Sequence, residues 1–505
     1  MDLDRLEALT WRDLDLGVAI DVVDTPVTVS DLDSAEFADA FIAMRALEAG
    51  EIANPDEQRR VGHYWLRAPQ FAPADVADAI TAAREAARRL AFELHRDGTF
   101  RTVVVLGIGG SALGPQFVAD ALGEPDDRLQ IRFIDNTDPD GIARVLGGLD
   151  LEETLFVCIS KSGGTAETRN AMIEAQAACE RAGVEFGPRA VAISGEGSHL
   201  WQAAASWRAR LPMWDWVGGR TSLTSAVGLF PMFLQGLDVD GFLAGAAAMD
   251  ARTRVPDLRR NPAALLSLAW HRLGGGVGTR AMVVLPYRDR LVLFSRYLQQ
   301  LVMESLGKER DLAGVVVRQG LAVYGNKGST DQHAYVQQLR DGPDNYFATF
   351  LAVLDDGYYG AVDVELGLDS GDFLQGFLHG TRRALSEGGH PSLTITLDHV
   401  DAVRIGALIA LYERAVGLYA FRVGVNAYHQ PGVEAGKRAA AAVVALKAPL
   451  LAALDDHPTT SVVLAERVGA SDVRAIHAIL RRLAANERGV MFHAGTSPVD
   501  DRFSR

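Results

Sequence analysis

Short apolar runs alternate with stretches of helical periodicity from about residue 76 onwards. Residues 76–97 carry apolar side chains at helical spacing, which predicts an amphipathic helix. Runs rich in β-branched and aromatic residues follow, each ending in glycine, serine, asparagine or aspartate, at 102–106, 130–134, 154–159 and 189–193. Apolar runs of this length with helices between them are typical of a parallel sheet that is covered on both faces.

The same alternation starts again after residue 260. Residues 281–286 form a candidate strand and residues 290–307 a candidate helix, and further strands are expected at 346–354 and 393–397. Alanine-rich helices are predicted at 401–421 and 433–455. Two similar α/β units in series would leave a cleft between them.

The expected fold class is therefore α/β, with two parallel-sheet domains flanked by helices and a small helical C-terminal appendage. The expected segments are a partly helical N-terminal extension (1–75) and the first domain (76–255). They are followed by the second domain with its C-terminal helices (256–457) and the appendage (458–505). In the appendage, two short helices around a turn at 469–471 suggest a helix-turn-helix or winged-helix-like unit. Its seven Lys and Arg residues against five Asp and Glu are too small an excess to argue for DNA binding.

Charge and composition narrow the classes of function. The 505-residue chain is 48% hydrophobic and 23% charged, as is typical of globular proteins, and its formal net charge of −15 argues against general nucleic-acid binding. A local pocket can still be positive and bind an anion. The two cysteines, Cys158 and Cys179, offer neither a disulfide framework nor zinc-ligand spacing and are expected to be reduced. No apolar signal core follows Met1 and no apolar run is long enough for a membrane span, so a cytoplasmic protein is expected.

Two glycine-bearing loops follow predicted strands of the first domain. Residues 107–112 (GIGGSA) match one form of the dinucleotide-binding turn, and Asp135 ends the next strand, near where a ribose-binding acid belongs. That match alone is a weak signal. Residues 160–168 (SKSGGTAET) carry four hydroxyl side chains and one lysine. Hydroxyl and main-chain N–H groups can surround one tetrahedral anion, so this second loop favours a single phosphate monoester over a pyrophosphate.

Later stretches carry side chains suited to acid–base and electrostatic chemistry. Arg220 follows a pair of glycines and provides a permanent cation. Gln300 and Glu304 are four residues apart and so share one helix face. His333 ends a polar loop, where it can act as an acid or base near neutral pH, and Lys437 is expected in the first turn of the last alanine-rich helix. Each residue taken alone is more often an ordinary structural or surface group.

Six motifs taken together resemble those of the phosphoglucose isomerase family. As they stand here they are GIGGSALGP, SKSGGTAET, GGRTSLTSAVGL, QQLVMESLGK, GSTDQH and QPGVEAGK, and they run in the family's order across residues 107–437. The resemblance implies two sugar-isomerase (SIS) domains and a homodimer whose active site lies at the domain and subunit junction. It also implies reversible aldose–ketose conversion of glucose 6-phosphate and fructose 6-phosphate, a step of glycolysis and gluconeogenesis, with no metal or nucleotide cofactor.

The resemblance further implies roles for individual residues. Glu304 would move a proton between C2 and C1 through a cis-enediol(ate), while Arg220 would stabilise the charge that develops. His333, contributed across the subunit interface, and Lys437 would open the sugar ring. The remaining residues expected to bind the phosphate or the sugar are Gly110, Ser111, Ser160, Lys161, Ser162, Thr165, Glu167, Gly219, Gln300 and Gln430.

The sequence departs from the commonest family pattern at two points. Residues 160–165 read SKSGGT where many members have more threonines and a bulkier middle residue, and Leu306 replaces a frequent asparagine. Neither change removes an expected catalytic side chain, but both leave substrate preference open, including whether mannose 6-phosphate is accepted. Two other classes remain as alternatives: a sugar-phosphate-sensing transcriptional regulator, suggested by the appendage, and an NAD-dependent oxidoreductase, suggested by the first loop.

Overall fold

A computed structural model describes residues 3–357, 360 and 362–505 of the chain. The strands are β1 (Thr10–Asp13), β2 (Val18–Asp21), β3 (Ile52–Asn54), β4 (Arg59–Arg60), β5 (Thr102–Leu106), β6 (Gln130–Ile134), β7 (Thr154–Ile159), β8 (Ala190–Ser194), β9 (Ala209–Pro212), β10 (Ala281–Pro286), β11 (Lys308–Arg310), β12 (Val316–Gln319), β13 (Val323–Tyr324), β14 (Tyr346–Val353), β15 (Ser392–Leu397), β16 (Thr459–Thr460), β17 (Met491–His493) and β18 (Arg502–Ser504).

The α-helices account for most of the remaining regular structure. They are α1 (Leu3–Ala8), α2 (Ala38–Glu48), α3 (Ala74–Asp97), α4 (Leu113–Leu122), α5 (Pro139–Leu146), α6 (Ala166–Arg181), α7 (His199–Ala203), α8 (Ala226–Gln235), α9 (Val239–Thr253), α10 (Pro262–Leu273), α11 (Phe294–Leu298), α12 (Val336–Asp341), α13 (Ser370–Glu387), α14 (Ala402–Val423), α15 (Pro431–Ala445), α16 (Lys447–Ala453), α17 (Ser461–Val468) and α18 (Val473–Ala485). The chain divides into a larger unit, Met1–His429, and a smaller unit, Gln430–Arg505.

The first sheet of the larger unit is parallel and has the strand order β6-β5-β7-β8-β9. Every residue of β7 is buried, which explains why its sequence is a continuous apolar run instead of an alternating one. Helices α3 and α8 pack on one face, and α5 and α6 pack on the other. The predicted strands 102–106, 130–134 and 154–159 are confirmed, and β8 begins one residue later than expected.

Strand β5 lies at the point where the order of this sheet reverses. It pairs with β6 on one side and with β7 on the other. Because parallel strands end at the same edge of a sheet, the loops that follow β5 and β7 are neighbours. Ligands of open α/β sheets bind in the crevice at such a reversal. The topology therefore places both predicted phosphate loops where a ligand site is expected.

The second sheet has the order β1-β2-β15-β14-β10-β13. Strands β15, β14, β10 and β13 are parallel, and the β1–β2 hairpin joins the β15 edge in antiparallel fashion. The sequence pattern predicts β10, β14 and β15 but not the hairpin, which lies in the segment expected to be only partly helical. The hairpin strands have four residues each and β2 pairs with a strand far along the chain, so local pattern carries little signal for them.

The helix predicted at 290–307 is not a continuous α-helix. A 3₁₀ turn at Asp289–Leu291 is followed by α11 and then by a π-helical stretch, Gln299–Glu304. π-Helical stretches are rare and are often found at functional sites. Leu306, which departs from the family pattern, is fully buried in the core next to this stretch, where an apolar side chain is readily accommodated.

The smaller unit contains α15 to α18 and the antiparallel sheet β16-β18-β17. Its core includes Leu464, Ile476, Leu480 and Phe503. Helix α17 ends at Gly469, whose φ of +67° is the left-handed conformation that glycine adopts most readily, and α18 starts four residues later. The turn expected at 469–471 is therefore present. In the described part of the chain, no helix combines the length and the apolar character needed to cross a bilayer.

Candidate active site

The loop after β5 forms a 3₁₀ turn at Gly109–Ser111 before α4 begins. Gly109 has a φ of +59°, a left-handed conformation that favours glycine. A Cβ atom on Gly109 would lie 3.0 Å from the side-chain nitrogen of Gln300, so the π-helical stretch reaches this loop. The turn thus brings Gly110 and Ser111 into the same neighbourhood as Gln300.

The loop after β7 keeps its hydroxyl groups together at the start of α6. The Ser160 hydroxyl donates a hydrogen bond to Thr165 Oγ1 at 3.1 Å, and the main-chain N–H of Gly164 donates to Ser162 Oγ at 3.2 Å. Ser160 is buried whereas Ser162 is exposed. Glu167 lies in the first turn of α6 and is partly buried. Main-chain N–H groups at a helix N-terminus favour anions, so the loop has the chemistry of a phosphate cradle.

Lys161 in this loop supports the neighbouring segment. Its ammonium group donates hydrogen bonds to the main-chain carbonyls of Asp215 at 2.6 Å and Val217 at 2.9 Å. Burial lowers the pKa of Lys161 to about 8. The ammonium group therefore fixes the chain that leads directly into the Gly218–Gly219 pair and Arg220.

The segment that carries Arg220 packs tightly against the loop after β5. Gly110 and Gly219 meet through their main chains, because a Cβ atom on Gly110 would lie 1.8 Å from the carbonyl oxygen of Gly219. The 3₁₀ turn Gly219–Thr221 then places the guanidinium group in the interior, and only 6% of the Arg220 side chain is exposed. Arg220 Nη2 donates to the carbonyl of His429 at 3.0 Å.

Arg220 and Glu304 form the central ion pair of the site. Arg220 Nη2 lies 3.8 Å from Glu304 Oε1, and 19% of the glutamate side chain is exposed. Burial lowers the pKa of Arg220, and the Glu304 carboxylate opposes that shift. The pair joins a partly exposed carboxylate to a buried guanidinium group, and charge interactions are stronger where water is excluded.

A small cavity is lined by Arg220 and by other buried polar groups, including His63, Glu413 and Tyr428. Within the described ranges, Nη1 of Arg220, both ring nitrogens of His63 and Oε1 of Glu413 have no hydrogen-bond partner. Burial together with the nearby guanidinium groups lowers the pKa of His63 well below its usual value, so the ring is neutral. Hydrogen-bond donors and acceptors without a partner are thus both found among the residues that line the cavity.

Glu413 belongs to an ion cluster that joins three helices of the larger unit. Asp250 of α9 accepts from Arg67 Nε at 2.7 Å and from Arg414 Nε at 2.8 Å. Arg67 also bonds to Glu413, and Arg414 Nη2 donates to Glu48 of α2 at 2.6 Å. The two guanidinium groups hold the pKa of Asp250 well below its usual value despite burial.

His333 lies at the surface of the larger unit. It ends the 3₁₀ turn Thr330–His333 and is exposed. The turn is anchored by Asp331, which accepts from the main-chain N–H of Asn326 at 3.0 Å and from the hydroxyl of Tyr335 at 2.5 Å. Among the residues that the structure describes, His333 forms no hydrogen bond or ion pair with Arg220 or Glu304.

Gln430 and Lys437 belong to the smaller unit. Gln430 directly precedes α15, and Lys437 lies in the second turn of that helix. The first-turn position expected for Lys437 is wrong, because α15 begins at Pro431, two residues earlier than the sequence pattern predicts.

One residue at the site, Lys308, is not predicted by the sequence analysis although it lies within a quoted motif. It directly follows Gly307, is 5% exposed, and its Nζ donates to the main-chain carbonyl of Glu304 at 2.6 Å. The one feature of the sequence that could have identified Lys308 is its position immediately after Gly307, a glycine expected to end the helix that carries Glu304.

The aspartate that suggested a dinucleotide site is engaged by two other side chains. Asp135, the candidate ribose-binding acid, accepts from Gln116 Nε2 at 2.9 Å and pairs with Arg296 at 3.2 Å. Over the described ranges, no three His, Cys, Asp or Glu side chains are grouped so that they could hold a metal ion.

One parallel and one largely parallel sheet, both flanked by helices, define an α/β protein of the sugar-isomerase type. The loops at the reversal of the first sheet and the buried Arg220–Glu304 pair fit this type. The sequence profile of phosphoglucose isomerase matches residues 24–365 and 380–462. The chain belongs to the phosphoglucose isomerase family, and it is an enzyme of the isomerase class.

Similar proteins cover nearly the whole chain. A glucose-6-phosphate isomerase of Synechococcus elongatus is 56% identical over 469 residues, which cover 90% of this chain and 89% of the relative. A glucose-6-phosphate isomerase of Geobacter sulfurreducens is 54% identical over 519 residues, covering 99% and 98% of the two chains. The crystal structure of a glucose-6-phosphate isomerase from Chlamydia trachomatis is 28% identical, with a TM-score of 0.80 and coverage of 88% and 91%.

Proposed function

We propose that this enzyme interconverts glucose 6-phosphate and fructose 6-phosphate. The observation that carries the proposal is the pair Arg220–Glu304, with 3.8 Å between Nη2 and Oε1, held next to the loops at the reversal point of the first sheet. The name of two relatives, glucose-6-phosphate isomerase, supports the first of these substrates, since they are 56% and 54% identical to this chain over the aligned residues.

The phosphate group is proposed to bind at the loops after β5 and β7. Ser111, Ser160, Ser162 and Thr165 supply hydroxyl groups, and the N-terminus of α6 supplies main-chain N–H groups. Binding the phosphate far from the reacting carbons orients the sugar, and this binding energy can lower the barrier of the chemical step. In this arrangement Lys161 acts through the chain at Asp215 and Val217, which it holds in place.

Glu304 is proposed as the base of the proton transfer. In the open-chain aldose, its carboxylate takes the proton from C2, the C1–C2 double bond forms, and the electron pair of the C1 carbonyl moves onto O1. The guanidinium group of Arg220 stabilises the charge of this cis-enediolate. The glutamate then returns the proton to C1, while the proton of the O2 hydroxyl passes to O1 as the C2 carbonyl forms. Overall no atom is gained or lost.

Ring opening requires a separate acid and base, for which His333 and Lys437 are proposed. The C1–O5 bond breaks while O1 loses its proton and O5 receives one. His333 is exposed on the larger unit, which fits a histidine that completes the site of a second copy of the chain. We therefore propose a homodimer, with Gln300, Gly219, Glu167 and Gln430 as further pocket residues. A cytoplasmic location is proposed from the sequence.

The proposal is tested by incubating the purified protein with fructose 6-phosphate in D₂O and following the sugars by NMR. We expect glucose 6-phosphate to form with deuterium at C2, without any added metal or nucleotide. Glu304→Gln should abolish both the conversion and the exchange, whereas Glu309→Gln, which changes an exposed carboxylate nearby, should leave them unchanged. A folded wild-type protein that forms no glucose 6-phosphate contradicts the proposal.

The sugar-phosphate-sensing regulator is not favoured. Its main sequence support is the appendage, whereas the relatives named as isomerases align with at least nine-tenths of this chain. A regulator also has no chemical need for a glutamate base beside a buried arginine.

A further inference from the structure

Lys308 stands at the end of the helical stretch that carries Glu304. The chain leaves that stretch at Gly307, and Lys308 starts β11 by pairing with Gln319 of β12. In a continuing α-helix, the main-chain N–H of residue 308 would bond to the carbonyl of Glu304. Here the side chain supplies the hydrogen bond instead, with 2.6 Å between Lys308 Nζ and Glu304 O.

The ammonium group of Lys308 is buried among the charged groups of the site. Those that act on it are Arg220, Glu304 and Asp56, and Lys308 in turn acts on His429, which lies 3.5 Å from Asp56. Burial lowers the pKa of Lys308 to about 7; Arg220 lowers it further, while Glu304 and Asp56 oppose the shift. Burying a charged lysine costs free energy because its ammonium group loses hydration, whereas an exposed lysine keeps it. The burial of Lys308 therefore suggests that its charge has a role at the site.

We propose that Lys308 is a positioning residue of the isomerisation, which fixes the main chain of Glu304 and adds a second positive charge near its carboxylate. This inference rests on the proposed function. The carboxylate must reach C2 to take a proton and C1 to return it, so a shift of its main chain would affect both steps. Arg220 touches the carboxylate from one side, whereas Lys308 holds the backbone from which the carboxylate projects.

Steady-state kinetics of Lys308→Met and Lys308→Arg, across a range of pH, test the inference. Methionine keeps the length and apolar stem of lysine but has no charge and no donor. We expect Lys308→Met to lower kcat by at least about tenfold, with KM for fructose 6-phosphate changed by less than about threefold. The acid limb of the kcat/KM profile should also move to higher pH, because loss of a nearby cation favours the protonated form of a carboxylate.

Lys308→Arg retains the charge and the donors, so it should restore the position of the acid limb and part of kcat. Lys447→Met serves as the matched control, because Lys447 is exposed in the smaller unit and should leave both parameters unchanged. Circular dichroism and competitive inhibition by inorganic phosphate report whether each variant is folded and still binds anions. If Lys308→Met does not fold, Lys308→Gln takes its place, because glutamine also lacks the charge: an acid limb that moves to higher pH supports the inference and an unshifted one overturns it.

Where Lys308→Met folds, either of two results would overturn the inference. One is a folded Lys308→Met variant with wild-type kcat and an unshifted profile. The other is an equal loss of kcat in both variants with no shift of the acid limb, which would indicate packing alone. Failure of the proposed function is distinguished from both, because the wild-type protein itself would then be inactive in the same assay.

Discussion

The main chains of Gly110 and Gly219 are in contact, and this contact joins the two segments that bear Ser111 and Arg220. A Cβ atom on Gly110 would lie 1.8 Å from the carbonyl oxygen of Gly219, a distance that no side chain can tolerate. The obstacle is main chain, so it cannot move aside as a flexible side chain would. The position of Arg220, for which a catalytic role is proposed, therefore depends on the absence of a side chain in the neighbouring loop.

We expect Gly110→Ala to separate these two segments and to impair catalysis. A displacement of about 1 Å at a reacting group can cost on the order of a hundredfold in rate, so kcat/KM should fall by at least about tenfold. Steady-state kinetics with fructose 6-phosphate measure the effect. Gly376→Ala is the matched control, since Gly376 lies within α13 with no atom within 4 Å of the added carbon. Activity of Gly110→Ala equal to that of the control would refute the role of this contact.

The sequence predicts the parts of this site that depend on local order along the chain. The strand ends at Leu106 and Ile159 are confirmed, and the loops that follow them are neighbours because β5 and β7 pair. Local patterns also identify Arg220 and Glu304 as candidates, and these two residues do come together. The roles assigned to them remain proposals, as do those of the phosphate loop.

Other features depend on contacts between distant segments and left little local signal. The β1–β2 hairpin is stabilised by the pairing of β2 with β15. These two strands lie near opposite ends of the larger unit in sequence. The π-helical stretch looks like an ordinary amphipathic helix in sequence, because buried Leu301 and Val302 satisfy a helical apolar pattern. From sequence alone, Lys308 would be taken for a surface lysine. In the structure the chain leaves the helical stretch at Gly307, and the Lys308 side chain bonds to the carbonyl of Glu304.

Neutralising Asp250 should strongly destabilise the larger unit. Asp250 is fully buried and accepts hydrogen bonds from Arg67 and Arg414, so Asp250→Asn leaves two buried guanidinium groups with less compensating charge. The expected loss is about 3–5 kcal/mol in the free energy of unfolding, measured by urea denaturation.

The exposed pair between Asp240 and Arg88 provides the control for this prediction. Its carboxylate side chain is 68% exposed, so Asp240→Asn should cost at most about 1 kcal/mol. Equal stabilities of the two variants would show that the buried cluster contributes no more than a surface ion pair.

The burial of Lys308 should make its contribution to stability depend on pH in a defined direction. The pKa of this lysine is lowered to about 7 in the folded protein, against a usual value of about 10.4 for a solvated lysine in an unfolded chain. Between these two values the unfolded chain binds more protons than the folded one, so stability rises with pH. Below pH 7 both states carry the charge, and the full cost of burying it is present.

The difference in unfolding free energy between the wild type and Lys308→Met isolates this contribution, because the other titrating groups are common to both proteins. From pH 7 to pH 10 the difference should shift in favour of the wild type by up to about 1.4 kcal/mol per pH unit. Urea denaturation at pH 6.5, 8 and 9.5 measures it, with Lys447→Met expected to give a difference that does not vary with pH. A difference for Lys308→Met that is equally flat would mean that burial does not lower the pKa of Lys308 in the folded protein, and it would contradict this prediction.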